Sequence, residues 1–257
     1  MNQKQMMEIA LAQSAADLGC DPSDFLKSEN IVIPSARTAG ARAYLKQPNP
    51  CHIVSYGNGA AAAADAAICG EIQGFLNRIH PVTRCFCTPY LTELDAILSQ
   101  HGCKTGYLSE YWLPDLSRLH ALPCSYSLRV LHHDDFAELY LPEWSNALCA
   151  DRAELDVLGI GAYDADGKLI GLAGCSADCE LMWQIGIDVL PSYRQKGVAA
   201  ALTSRLALEI LSRDRVPFYC CAWSNLPSAK NAVRSGFTPA WVELDARRIE
   251  SSCGNNG

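Results

Sequence analysis

The spacing of apolar positions changes several times along the chain, and each change predicts an element. In "KQMMEIALAQSAADL" (Lys4 to Leu18) apolar residues recur at helical spacing, and Gly19 closes the run. "HIVSYG" (His52 to Gly57) is a short β-branched run that ends in the turn signal Gly57-Asn58-Gly59, so it predicts a strand. Residues 60–67 are nearly all alanine, and such small side chains fit a close-packed strand or a helix equally well. A helix is expected over Cys69–Arg78 and another from Pro89 to about Gly102, with "KTGYLSEYWL" as the following strand. Two prolines in "LPDLSRLHALPCSY" then break the pattern, and the expected domain boundary lies there: an N-terminal lobe over 1–122 and a second domain over 123–250.

The second half reads more cleanly. "SLRVL" is a short strand, "HHDDFAELYL" begins a helix that Asp134 or Asp135 can cap, and Pro142 starts a second short helix in "PEWSNAL". "LDVLGIGAYDADGKLIGLAGCSAD" predicts two strands joined at Asp166-Gly167, a hairpin signal. After the strand "LMWQIGIDVL", the segment "QKGVAAALTSRLALEILSR" places apolar residues at 198, 202, 206 and 210, one face of a helix. Strand "VPFYCCAW", helix "LPSAKNAVRSG" ending at Gly236, and strand "PAWVELDARR" complete the order. The class is α/β of the α+β kind. A doubly wound nucleotide fold is excluded, because two antiparallel hairpin strands precede the first long crossover.

Composition narrows the function. Of 257 residues 49% are hydrophobic and 19% charged, and the formal net charge is -7. That balance argues against a phosphate-tracking surface for nucleic acid and suits a small amine partner better. No window approaches the roughly 18 apolar residues of a membrane span, and the N-terminus lacks the pattern of a signal peptide. The expected location is cytoplasmic. Thirteen cysteines in an irregular, odd-numbered set do not suggest a disulfide scaffold or the paired knuckles of a zinc site. They read as small reduced core residues, and no metal is expected.

The chemistry concentrates at "YRQKGVA" (Tyr193 to Ala199), where a strand passes into a helix through a basic, glycine-bearing turn. A helix start has unpaired N–H groups and a partial positive charge, which together suit a pyrophosphate. Gly197 permits close approach of the backbone, Ala199 avoids a clash, and Arg194 and Lys196 add charge. Arg194-Gln195-Lys196-Gly197-Val198-Ala199 resembles the R/Q-x-x-G-x-G/A signature of the GNAT superfamily of acyl-CoA-dependent N-acyltransferases. Asn225-x-x-Ser228, then Ala232, then Gly236-Phe237 resembles the family's second block at the expected distance. The resemblance covers about half the chain, from Ser127 to about Arg247.

It implies a GNAT fold with a mixed, splayed central sheet, and an enzyme that transfers an acetyl group from acetyl-CoA to the amine of a small molecule. Transfer would be by direct attack in a ternary complex. The strand Trp183–Leu190 would pair with the cofactor's pantetheine arm, with the N–H of Val189 facing the thioester carbonyl. Gln195, Val198 and Ser228 belong to the same implied cofactor site. Asn225 would bond the cofactor arm, or cap the helix that starts at Pro227, and the two roles are compatible. The family's general acid, a tyrosine seven residues after the asparagine, is Ala232 here, so none is carried over. That departure supports the competing reading, a non-catalytic acyl-CoA-binding sensor or scaffold.

For the base, Asp188 in its apolar strand is one candidate and Glu180 at the strand start the other. The alternatives are a carboxylate hydrogen-bonded for structure and a solvated turn. Glu143, Trp144 and Trp223 would form an acceptor wall suited to a cationic or aromatic amine; core tryptophan beside a first-turn glutamate is the alternative. Cys220-Cys221 and His132-His133 read as core and loop. The N-terminal half lacks the glycine signature, and two readings of it stay open: a degenerate second GNAT-like lobe, or an unrelated α+β cap. Monomer and homodimer are both open.

Overall fold

The computed structural model describes residues 1–45 and 48–249, and most of the predicted strands and long helices appear in it in the predicted order. Helix α1 (Gln3–Leu18) ends at Gly19, whose φ of 85° is the left-handed turn that stops it. Strands β1 (Ile31–Pro34), β2 (Cys51–Ser55) and β3 (Ala61–Ala64) follow, then α2 (Cys69–Asn77), α3 (Thr88–Gln100) and the long β4 (Cys103–Pro114). The alanine run is a strand, because β3 pairs on both edges, parallel with β1 and antiparallel with β2. Small side chains let helix α2 pack against it, as all four alanines are buried.

The rest of the chain begins with β5 (Ser127–His132), β6 (Asp156–Tyr163), β7 (Leu169–Ser176) and β8 (Met182–Val189). It ends with α4 (Val198–Leu211), β9 (Val216–Ala222), α5 (Leu226–Arg234) and β10 (Phe237–Arg248). Where the sequence predicts two short α-helices after β5, the chain forms only 3-10 turns, at His133–Phe136, Pro142–Trp144 and Ala150–Leu155. The N-cap of the first is His132, not either aspartate; Asp135, the third residue of the turn, accepts from the backbone N–H of His132 at 2.8 Å.

The chain divides into two compact units. One comprises Met1–Ala10 with Glu110–Ala240, the other Leu11–Ser109 with the segment from Trp241. The divisions fall inside α1, β4 and β10, whereas the sequence-based boundary at 122/123 falls inside the first unit. In that unit the strand order is β10-β4-β9-β8-β7-β6-β5. Its core joins the sheet to α4, whose Val198, Leu202, Leu206 and Ile210 are all buried, as their spacing predicts. In the other unit β1-β3-β2 is followed by β10, with β2 antiparallel to β10 from Val242↔Ser55 to Asp245↔His52.

That second unit holds a buried ionic cluster. Arg42 bonds Asp17 (Nε to Oδ2, 2.5 Å) and Glu243 (Nη2 to Oε1, 2.6 Å). Glu243 also meets His52 Nε2 at 3.2 Å and accepts from Trp241 Nε1 at 2.7 Å. Burial alone would raise the Glu243 carboxyl, but Arg42 and the bonds from His52 and Trp241 outweigh it. They hold the carboxyl well below the usual carboxylate range.

Candidate functional site

The site begins where two parallel strands stop pairing. β8 and β9 are in register from Met182↔Val216 to Ile185↔Tyr219 and no further. On its other edge β8 stays paired with β7 as far as Gly171↔Val189. The next opposed residues, Leu190 and Ile170, share a hydrogen bond from Leu190 N–H at 2.9 Å. In an antiparallel ladder such bonded positions alternate with unbonded ones. The N–H groups of Val189 and Ile187 therefore face away from β7, toward the edge that β9 has left. The sequence reading named Val189 alone; the two-residue repeat of a strand was the signal for Ile187.

Beyond Val189 the chain makes a 3-10 turn at Pro191–Tyr193 and then enters α4 through Gly197. Gly197 has φ 79°, a conformation that side chains with a Cβ rarely adopt, and a Cβ built there meets no atom within 4 Å. The first helical bond is Ala201 N–H to Gly197 O at 3.1 Å. It leaves the N–H groups of Val198, Ala199 and Ala200 without a partner inside the helix, as at any helix start. Gln195 also takes a positive φ, 61°.

The basic side chains are partly committed. Arg194 Nε donates to the carbonyl of Val189 at 2.9 Å, tying the turn to the end of β8. Lys196 Nζ lies 5.3 Å from the centre of the Tyr193 ring. Tyr193 in turn donates to Asp164 at 2.9 Å, so the hairpin loop braces the same turn.

On α5 the second block has its expected shape. Asn225 is the N-cap, its side-chain oxygen accepting from Ser228 N–H at 3.2 Å. Ser228 Oγ lies 2.6 Å from Tyr219 OH. The sequence reading passed over Tyr219, a lone tyrosine in an apolar strand six residues before Asn225. Ala232 is wholly buried.

The remaining candidates fare differently. Asp188 accepts three bonds from one loop: Asn146 N–H at 2.8 Å, Asn146 Nδ2 at 2.7 Å and Ala147 N–H at 3.0 Å. The loop runs against β7 and β8 so closely that a Cβ at Gly174 or Gly186 would overlap the carbonyls of Ala147 and Asn146. Asp188 thus anchors the segment after Trp144. Glu180 is exposed on the turn before β8. The length of β8 separates it from Val189, about 23 Å at roughly 3.3 Å per residue, and that distance removes it as the base. Trp144 is a correction as well. It is 4% exposed and packs with Leu131, Phe136, Leu148 and Leu172, so it is core and lines no acceptor wall. Glu143 beside it is exposed, and Trp223 is 56% exposed after β9.

No grouping of three or more histidine, cysteine or carboxylate side chains suited to a metal occurs among the described residues. The described cysteines are free thiols. Burial pushes Cys51 and Cys85 up to about 12, which keeps them protonated and inert.

The GNAT acetyltransferase family model matches residues 104–240, more than half of the chain. The chain belongs to that family. The match begins at β4, and with the unpaired end of β8 and the Gly197 turn it makes the first unit a GNAT fold. A GCN5-related N-acetyltransferase from Kribbella flavida is similar in structure (TM-score 0.51, 13% identity, 80% of this chain and 89% of that one). Also similar are a tandem GNAT protein from the clavulanic acid biosynthesis pathway (TM-score 0.49, 15% identity, 98% and 97%) and a GNAT-family acetyltransferase from Colwellia psychrerythraea (TM-score 0.43, 15% identity, 60% and 62%). The chain spans about three fifths of the length of the Colwellia protein. Among curated proteins none matches it. No helix among the described residues is long and apolar enough to cross a membrane.

Proposed function

We propose that this protein transfers an acetyl group from acetyl-CoA to the amine of a small molecule, by direct attack while both are bound. The observation that carries the proposal is the parting of β8 and β9 beyond Ile185 and Tyr219, next to the left-handed Gly197 turn. The N–H groups of Ile187 and Val189 would pair with the pantetheine arm as a further strand does, and polarise the thioester carbonyl. Val198, Ala199 and the backbone of Gln195 to Gly197 would receive the pyrophosphate, with Arg194 and Lys196 adding positive charge. Asn225 and Ser228 bound the other side of the opening. When bound, acetyl-CoA supplies the activated acyl group; the chain supplies orientation, an oxyanion partner and exclusion of water.

The acceptor would enter beside the loop that Asp188 pins, past Glu143 and Trp223. Proton removal from the amine then falls to water held near Asp188, because Glu180 is too distant. A second reading, an acyl-CoA-binding protein without turnover, is favoured by Ala232 in place of the family's tyrosine. Thiol release from acetyl-CoA across a panel of polyamines, arylamines, amino acids and aminoglycosides separates the two. Turnover on at least one amine is expected. Tight acetyl-CoA binding with no thiol release on any of them would favour the binding protein.

A further inference from the structure

If the chain is an acetyltransferase, as proposed above, the departing sulfur needs a proton, and Ala232 cannot give one. We propose that Ser228 and Tyr219 take the place of the missing tyrosine, with the Ser228 hydroxyl protonating the coenzyme A sulfur and the Tyr219 hydroxyl restoring that proton.

The pair is placed for it. Tyr219 is the β9 partner of Ile185, the last residue of β8 before the strands part. Its ring is buried and its hydroxyl reaches Ser228 Oγ at 2.6 Å. Ser228 lies in the first turn of α5, held there by its backbone bond to Asn225, and is only half-buried. One end of the hydroxyl pair is therefore enclosed and the other is open.

Ala232 explains why a strand tyrosine fits. Ala232 and Tyr219 belong to one buried cluster, where the small side chain on α5 leaves room for the ring beside Phe237, 6.2 Å between centroids. Asn231, also on α5, donates to Thr203 of α4 at 3.0 Å and so ties the helix that carries Ser228 to α4. Of the nearby titratable groups Cys221 lies on the Tyr219 side of β9, with Glu110 of β4 near Cys221, while Cys220 points to the other face; α5 contributes Ser228 and β10 the Phe237 ring. Burial raises the Tyr219 phenol above its ordinary value, so it stays protonated at neutral pH and acts as a donor.

The step balances. The amine nitrogen bonds to the thioester carbon, the C–S bond breaks, and its electron pair stays on sulfur. The Ser228 proton passes to sulfur as the Tyr219 proton passes to Ser228 Oγ. The ammonium proton leaves to solvent; solvent at the open end returns a proton to Ser228 Oγ as Ser228 passes its own back to Tyr219, which resets the pair. Thioester and amine become amide and thiol.

The test uses the full chain with Ser228→Ala, Ser228→Thr and Tyr219→Phe, measuring acetyl-CoA affinity by calorimetry and turnover against pH. Acetyl-CoA affinity should stay within about twofold of wild type in Tyr219→Phe, whose hydroxyl is on the enclosed side of the pair. Turnover should fall by roughly 10²-fold in Ser228→Ala and Tyr219→Phe, the usual scale of a lost acid. The alkaline limb of the profile should disappear in Tyr219→Phe, and Ser228→Thr should recover most of the rate. Wild-type turnover in Tyr219→Phe and Ser228→Ala, with the alkaline limb intact, overturns the relay and leaves acyl transfer standing. Loss of acetyl-CoA affinity in Tyr219→Phe overturns it too, since the phenol would then serve to hold the cofactor site together. A wild-type protein that binds acetyl-CoA yet acetylates no amine refutes the transferase reading, and the relay with it.

Discussion

Asp188 shows how a carboxylate in the right strand can be given to another task. Its two oxygens take three N–H donors from Asn146 and Ala147, so its charge orients a loop. Asp188→Asn replaces an acceptor by a donor facing those same N–H groups, at a cost of about 1–3 kcal/mol. The expected result is a lower melting temperature and a higher KM for the amine, with acetyl-CoA affinity and the acidic limb of the pH–rate profile unchanged. A lost acidic limb, measured in the same series, would return Asp188 to the role of base. The sequence offered both roles and could not choose between them, since the donors lie about forty residues upstream in a segment that only the fold brings to β8. Trp144 was open in the same way, core or acceptor wall: its burial depends on Leu172 of β7, outside its own element.

At the scale of elements the sequence carried most of the information. The four-residue spacing of Val198, Leu202, Leu206 and Ile210 marks the buried face of α4, and the Asp166-Gly167 signal does mark a hairpin, with Gly167 at φ 79°. The turn that starts α4 was legible too, because a glycine flanked by basic residues has few other uses at a helix start. The alanine run was not, since its state is decided by two partner strands and not by its own preference. Nor was the ionic cluster joining β2, β10 and the segment around Arg42. There Glu243→Gln should destabilise by about 3–5 kcal/mol, because it leaves Arg42 buried with less compensation. The sign of its pH dependence follows from the depressed carboxyl of Glu243. Its stabilisation is full above the ordinary glutamate range, near 4.3, and is lost as pH falls toward the folded value. Urea midpoints taken from pH 7 down to pH 3 should drop more steeply for wild type than for Glu243→Gln. Parallel curves would show that the cluster carries no such linkage.

For the whole molecule, β4 and α1 decide what can be cut. A chain starting near Pro123 loses Glu110–Pro114, the stretch of β4 that lies between β10 and β9 in the unit carrying the site. It should be insoluble or inactive, because removing an interior strand leaves two unpaired edges and an apolar face. A soluble, fully active truncation, judged by light scattering and turnover, would contradict that. We further propose that the Leu11–Ser109 region, where among the described residues no positive-φ glycine opens an α-helix as Gly197 does, binds no acyl-CoA of its own, as a degenerate lobe would. The central claim is that one acyl-CoA binds per chain, at the Gly197 turn and the unpaired end of β8. Calorimetric titration of acetyl-CoA into wild type and Gly197→Val tests it most directly. Valine there is strained by the left-handed backbone and puts its side chain into the open space where, on the proposal above, the pyrophosphate would lie. The account predicts a stoichiometry of one for wild type and no measurable binding for a still-folded Gly197→Val; unchanged affinity in the variant, or two sites per chain, would contradict it.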